Sequence, residues 1–272
     1  MRIGQNTKSR GFSLIEIAVV LLIISVLISI VAIPLATQID QQRVTDTNKQ
    51  LDLIKEAVIG FALANGRLPC PATDGTKYGT SNSNGMENPL GGGACMVKVG
   101  YVPAVTLGTY PVDSSGFAID AWGTTQNRII YAIADINITS INSTCPKLVN
   151  HPLTNSATTG NDIKAATMDC LASKTLISVC STTPIGAAGA ATACPAGATL
   201  TSSAPFVLIS LGKNAPTGGT AGDEAHNIDQ DLFFVSHTPT TSGTAAGEFD
   251  DIVVWPSLNT LFARMVQAGK LP

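Results

Sequence analysis

The sequence predicts an α+β protein: a long N-terminal helix, with a membrane span and then an amphipathic half, packed on a C-terminal antiparallel β-sheet head with long loops. Three observations predict it. A basic leader opens onto a run without charge from Ile17 to Gln38. An amphipathic pattern then continues to Asn65-Gly66. Beyond it, short apolar segments alternate with stretches rich in Gly, Asn, Ser and Thr, the pattern of strands and loops. The expected division is a leader at 1–11, the helix at 12–66 with its transmembrane half at about 15–37, and an exported globular head at 67–272.

The leader carries Arg2, Lys8 and Arg10 and no acid, which keeps it on the cytoplasmic side of a membrane. The run AVVLLIISVLISIVAIPLA is long enough to cross a hydrocarbon core of ~30 Å as a helix. A secretory signal has its small-residue cleavage site after the apolar region. Here the small residue, Gly11, precedes it. Glu16 stands at the mouth of the apolar run. An acid at the centre of a membrane helix costs ~2.5–3.5 kcal/mol, and less near an interface. Taken alone, Glu16 fits a headgroup-level acid at the positive end of the helix dipole equally well.

Its neighbours decide between these readings. The string Gly11-Phe12-Ser13-Leu14-Ile15-Glu16, followed by about twenty apolar residues, resembles the prepilin signature of type IV pilins and type II secretion pseudopilins. The resemblance implies cleavage after Gly11 and N-methylation of Phe12. It also implies that Glu16 neutralises the terminal amine of a neighbouring subunit. The implied partners are a prepilin peptidase/N-methyltransferase, other pilin or pseudopilin subunits, an inner-membrane assembly platform and membrane lipid. The implied location is a single pass of the inner membrane with a periplasmic head, and a periplasmic or extracellular filament after assembly. One position departs from the family: Pro34 is the 23rd residue counted from Phe12, one later than usual. A one-residue shift turns a proline bend by ~100° about the helix.

After Pro34, Val44, Leu51, Ile54, Val58, Phe61 and Ala62 form an apolar stripe at helical spacing. Leu68-Pro69-Cys70-Pro71 ends regular structure, and residues 72–95 read as a long surface loop. Strands are expected at Arg128–Ile133, Phe206–Leu211, Leu232–Val235 and Phe249–Trp255, with a short helix over Leu258–Ala268. Residues 135–205 show weak periodicity, and Ser181–Ala204 reads as an insertion or mobile surface. The order of Asp120-x-Trp122-Gly123, Ser210-x-Gly212 and Asp251-Ile252-x-x-Trp255 is similar to the pseudopilin head. The chain is about twice the length of a major pseudopilin, which points to a minor or specialised subunit.

Cys70, Cys95, Cys145, Cys170, Cys180 and Cys194 all follow the apolar run. An even number on the exported side reads as disulfides, with fifteen full pairings possible. Neighbour pairing is the simplest of these, and buried thiols are the alternative. Asp223, Glu224, Asp229 and Asp231 fall in one loop. Such an oxygen-rich loop suits calcium, which takes six to eight oxygens. The pseudopilin resemblance places a calcium loop in the same region, and the alternative is that these acids solvate the loop.

Charged residues are 13% of the chain, about half the usual share. Without its first eleven residues the chain has 13 bases against 19 acids. An acidic surplus gives no drive towards nucleic acid, and no nucleic-acid partner is expected. His151, His226 and His237 are isolated, and no nucleophile elbow, zinc-protease helix or phosphate loop occurs. No catalytic residue and no enzyme activity are expected. The function expected is a structural pilus or pseudopilus subunit, with a membrane-tethered or filament-tip adhesin as the alternative.

Overall fold

The computed structural model describes residues 11, 13–79, 81–156, 160–216, 221–243 and 247–271; the side chains at 29–36, 76 and 78 lie outside that description. The chain forms two compact units, Met1–Thr45 and Asp46–Pro272. Helix α1 spans Leu14–Asn65 and runs through both. Gly66 ends it at φ 73°, the left-handed conformation that costs glycine least.

In the first unit, α1 leaves its apolar side chains from Leu14 to Ile28 largely exposed. Among the described residues no helix is long and apolar enough to cross a membrane. The expected span at 15–37 takes in positions 29–36, whose side chains, Pro34 among them, lie outside the described residues.

In the second unit, α1 buries Leu51, Ile54, Val58, Ile59 and Ala62 in the main core. The stripe differs from the expected one at its ends. Val44 is exposed, and Phe61 is half-buried with the Arg67 guanidinium 4.9 Å above its ring. Thr47 and Gln50 extend the docked face instead. The Thr47 Oγ1 accepts from Ala121 N at 3.3 Å, and Gln50 Nε2 donates to the Ile119 carbonyl.

The core sheet has four antiparallel strands: β1 (Val99–Tyr101), β2 (Ile130–Ile133), β7 (Phe206–Ser210) and β9 (Ile252–Val254), in that order across the sheet. The two central strands are buried at every residue, which is why they read as unbroken apolar runs. A two-stranded ribbon pairs β3 (Asn137–Ile138) with β4 (Val149–Asn150). A third sheet places β5 (Ile177–Cys180) between β6 (Thr199–Ala204) and β8 (Phe233–Val235).

Two expectations are corrected here. The sheets are not wholly antiparallel, because β5 and β8 run parallel. The connection between them passes through two other strands, far more chain than the dozen residues a parallel crossover needs. Nor is 181–204 wholly an irregular insertion, since Thr199–Ala204 is a strand in register with β5.

Short helices α2 (Gly75–Tyr78), α3 (Ala104–Leu107), α4 (Ile163–Ala166) and α5 (Met168–Ala172) punctuate the loops. Helix α6 (Leu258–Gln267) closes the head. Ser257 caps it through Thr260 N, and Leu258, Leu261, Phe262 and Met265 form its buried face. Lys270 then donates to the Ala64 carbonyl at 2.9 Å, placing a cation at the C-terminal end of α1. Three disulfides join neighbours in sequence: Cys70–Cys95, Cys145–Cys170 and Cys180–Cys194.

Candidate functional site

The N-terminal site begins at Gly11, which is exposed and precedes the first helical residue, Leu14. Phe12 lies outside the described residues. Ser13 and Glu16 close the helix end reciprocally. Ser13 N donates to Glu16 Oε2 at 2.9 Å, and Ser13 Oγ accepts from Ile15 N at 3.3 Å. This is the Ser-x-x-Glu capping arrangement, which satisfies amides that a helix start leaves without partners. The Glu16 carboxylate is exposed and sits where the helix dipole favours negative charge.

In the head, two of the turn motifs meet at one end of the core sheet. Asp120, 1% exposed, accepts from Ser210 Oγ at 2.6 Å, from Asn127 Nδ2 at 3.2 Å and from Trp122 N at 2.9 Å. Asn127 Nδ2 also donates to the Gly212 carbonyl at 2.6 Å. Burial raises the Asp120 pKa, against the pull of these hydrogen bonds. Gly212 is held at φ 64°, where a Cβ would stand 2.3 Å from Asp250 Oδ1. Only glycine lets the chain leave β7 this close to Asp250.

The four acids of the 223–231 loop do not converge. Asp223 accepts from Thr183 Oγ1 and lies 3.1 Å from His237 Nε2, whose ring stacks on Phe249. Glu224 joins Asp250 and Asp251, with carboxylate oxygens within 4.8 Å of one another. Asn214 Nδ2 donates to both Glu224 oxygens at 3.0 Å, and Asn227 Nδ2 donates to Asp251 Oδ2 at 2.8 Å. Burial raises the pKa of Glu224 and Asp250, and raises that of Asp251 well above its ordinary value. Asp250 Oδ1 and Asp251 Oδ1 are buried without a hydrogen-bond partner. An all-oxygen set with orphaned carboxylate oxygens fits a hard cation such as calcium. Asp229 and Asp231 lie elsewhere, beside His226.

The sequence reading missed two further polar sites. Glu87 forms a bidentate pair with Arg67 at 2.7 and 2.8 Å, both side chains almost fully buried. Arg128 bridges Asp113 and Asp74 with its guanidinium 4.4 Å from the Phe117 ring centre. Nothing local in the sequence marks these partners, which are 20, 15 and 54 residues apart.

Residues 6–32 match the family described as the prokaryotic N-terminal methylation motif. No curated protein and no solved structure matches the chain.

Proposed function

The chain carries the signature of type IV pilins and pseudopilins, and from that premise we propose that it is a minor or specialised structural subunit of a type IV pilus or type II secretion pseudopilus. The observation that carries the reading is the motif itself, in which cleavage residue, acid and apolar run occur at fixed spacing. The family is structural and not catalytic. A prepilin peptidase removes residues 1–11 after Gly11 and methylates Phe12. Residues 12–66 then form the helix that anchors the subunit once through the inner membrane, and 67–272 form the periplasmic head. Exposed apolar side chains from Leu14 to Ile28 suit lipid before assembly and neighbouring helices after it. Three disulfides suit an exported head. In the filament, Glu16 pairs with the Phe12 amine of the next subunit. Glu224, Asp250 and Asp251 would hold a calcium ion in the head; of the acids first singled out, only Glu224 belongs to that pocket.

Co-expression with the peptidase tests the reading. The mature protein should begin at methylated Phe12 by mass spectrometry. Glu16→Ala should be inserted and cleaved normally, because it removes a charge from the membrane and leaves the scissile bond unchanged. It should be lost from sheared or cross-linked filaments at equal membrane level. A mature terminus at Met1, or normal incorporation of Glu16→Ala, would overturn the proposal.

A further inference from the structure

We propose that His226, Asp229 and Asp231 form a second cation site, selective for a borderline transition-metal dication of the zinc class. The proposal does not depend on polymerisation, and the site shares no residue with the all-oxygen pocket at Glu224. His226 lies in the 3₁₀ turn Gly222–Asn227, and the two acids follow it before β8. One ligand atom from each side chain lies within 4.8 Å of the other two.

The imidazole is the decisive group. His226 is 4% exposed, and its Nδ1 is buried without a hydrogen-bond partner. A buried polar atom left unpaired is costly, and a metal would give it a partner. The nearest acid oxygen, Asp229 Oδ2, is 3.7 Å from Nδ1, too far for a hydrogen bond. It is close to the ~3.3 Å edge of a tetrahedron built on zinc bonds of ~2.0–2.1 Å. The carboxylates are already oriented. Asp229 accepts from Gly189 N at 2.8 Å and Asp231 N at 2.9 Å. Asp231 accepts from Ala191 N at 2.8 Å and Phe233 N at 2.9 Å. Each oxygen keeps a second lone pair for a metal. Hydrogen bonds of this kind orient ligating carboxylates in metal sites.

The donor set selects the ion. Calcium sites are built from oxygens, whereas imidazole nitrogen suits zinc, copper, iron and nickel. Two carboxylates balance the charge of a dication, and three protein ligands leave a fourth position for water. Gly189 and Ala191 belong to the loop closed by Cys180–Cys194. A metal here therefore fastens that loop to the start of β8.

The test is titration of the full-length, chelator-treated protein in detergent with Zn²⁺, Ca²⁺ and Co²⁺. One Zn²⁺ should bind per chain, with Ca²⁺ a poor competitor. His226→Ala should weaken zinc by at least ~100-fold, as much as the loss of a strong metal-orienting group. Asp251→Asn should leave zinc binding intact and lose only calcium, which separates failure of this site from failure of the calcium pocket. Cobalt bound to the wild type should show the visible absorption of four-coordinate nitrogen and oxygen ligation, a readout that does not depend on the variants folding. Absence of saturable zinc binding, a His226→Ala affinity within about threefold of wild type, or an octahedral cobalt spectrum would each refute the site.

Discussion

Asp120 does more than close a turn. Its carboxylate gathers Ser210 from the end of β7, Asn127 from the approach to β2 and the backbone of its own turn. Burial nevertheless raises its pKa in the folded head above the unfolded value of about 3.9. The folded state therefore holds this proton where the unfolded chain has released it. Stability from Asp120 is greatest below the unfolded value and is lost as pH rises through the folded one. Melting temperature measured upward from about pH 4 should fall less steeply in Asp120→Asn than in wild type. An unchanged slope would show that Asp120 does not titrate in this range.

At the scale of elements, the loop 72–95 shows how a stretch without periodicity is held. Its base is the Cys70–Cys95 disulfide. Its interior is Glu87, which accepts from Arg67 and also from the amides of Cys70 and Gly91. Removing one partner of a buried ion pair leaves the other charge unpaired, at ~3–5 kcal/mol. Glu87→Ala should lower unfolding free energy by about that amount in denaturant titrations. A loss under ~1 kcal/mol, the range of a surface pair, would mean that water reaches Arg67.

Three of the four core-sheet strands were legible because they carry their own signal; β1, only three residues long, was not. Ile130–Ile133 and Phe206–Ser210 are apolar runs buried on both faces, and Gly212 marks where β7 ends. Strand β6 was not legible. Its sequence, TLTSSA, is mostly polar and exposed, and pairing with β5 holds it in the sheet. The acids of 223–231 read as one loop because they are close in sequence. A 3₁₀ turn points successive side chains ~120° apart, so the neighbours Asp223 and Glu224 enter different surroundings, while Asp229 and Asp231 lie beyond the turn.

For the whole molecule, the Glu224 pocket draws together distant parts of the chain. Asp250 Oδ2 accepts from Lys213 N and Asn214 N, just after β7, while its own amide donates to Glu224. A cation held there would tie the exit of β7, the 3₁₀ turn and the entry to β9. A ligand that binds only the folded state at 100 times its Kd adds ~2.7 kcal/mol of stability. Millimolar calcium should therefore raise the melting temperature of the wild type, and Asp251→Asn should lose that rise. An equal rise in both proteins would place calcium elsewhere.

Ser13 and Glu16 give the filament reading a further consequence. A carboxylate that holds an amide of its own subunit through one oxygen would meet a neighbour's amine through the other. On that reading a subunit would wait in the membrane with its acid already aimed. The helix cap would then serve as a jig, and a neighbour's amine would find a fixed target in place of a swinging side chain.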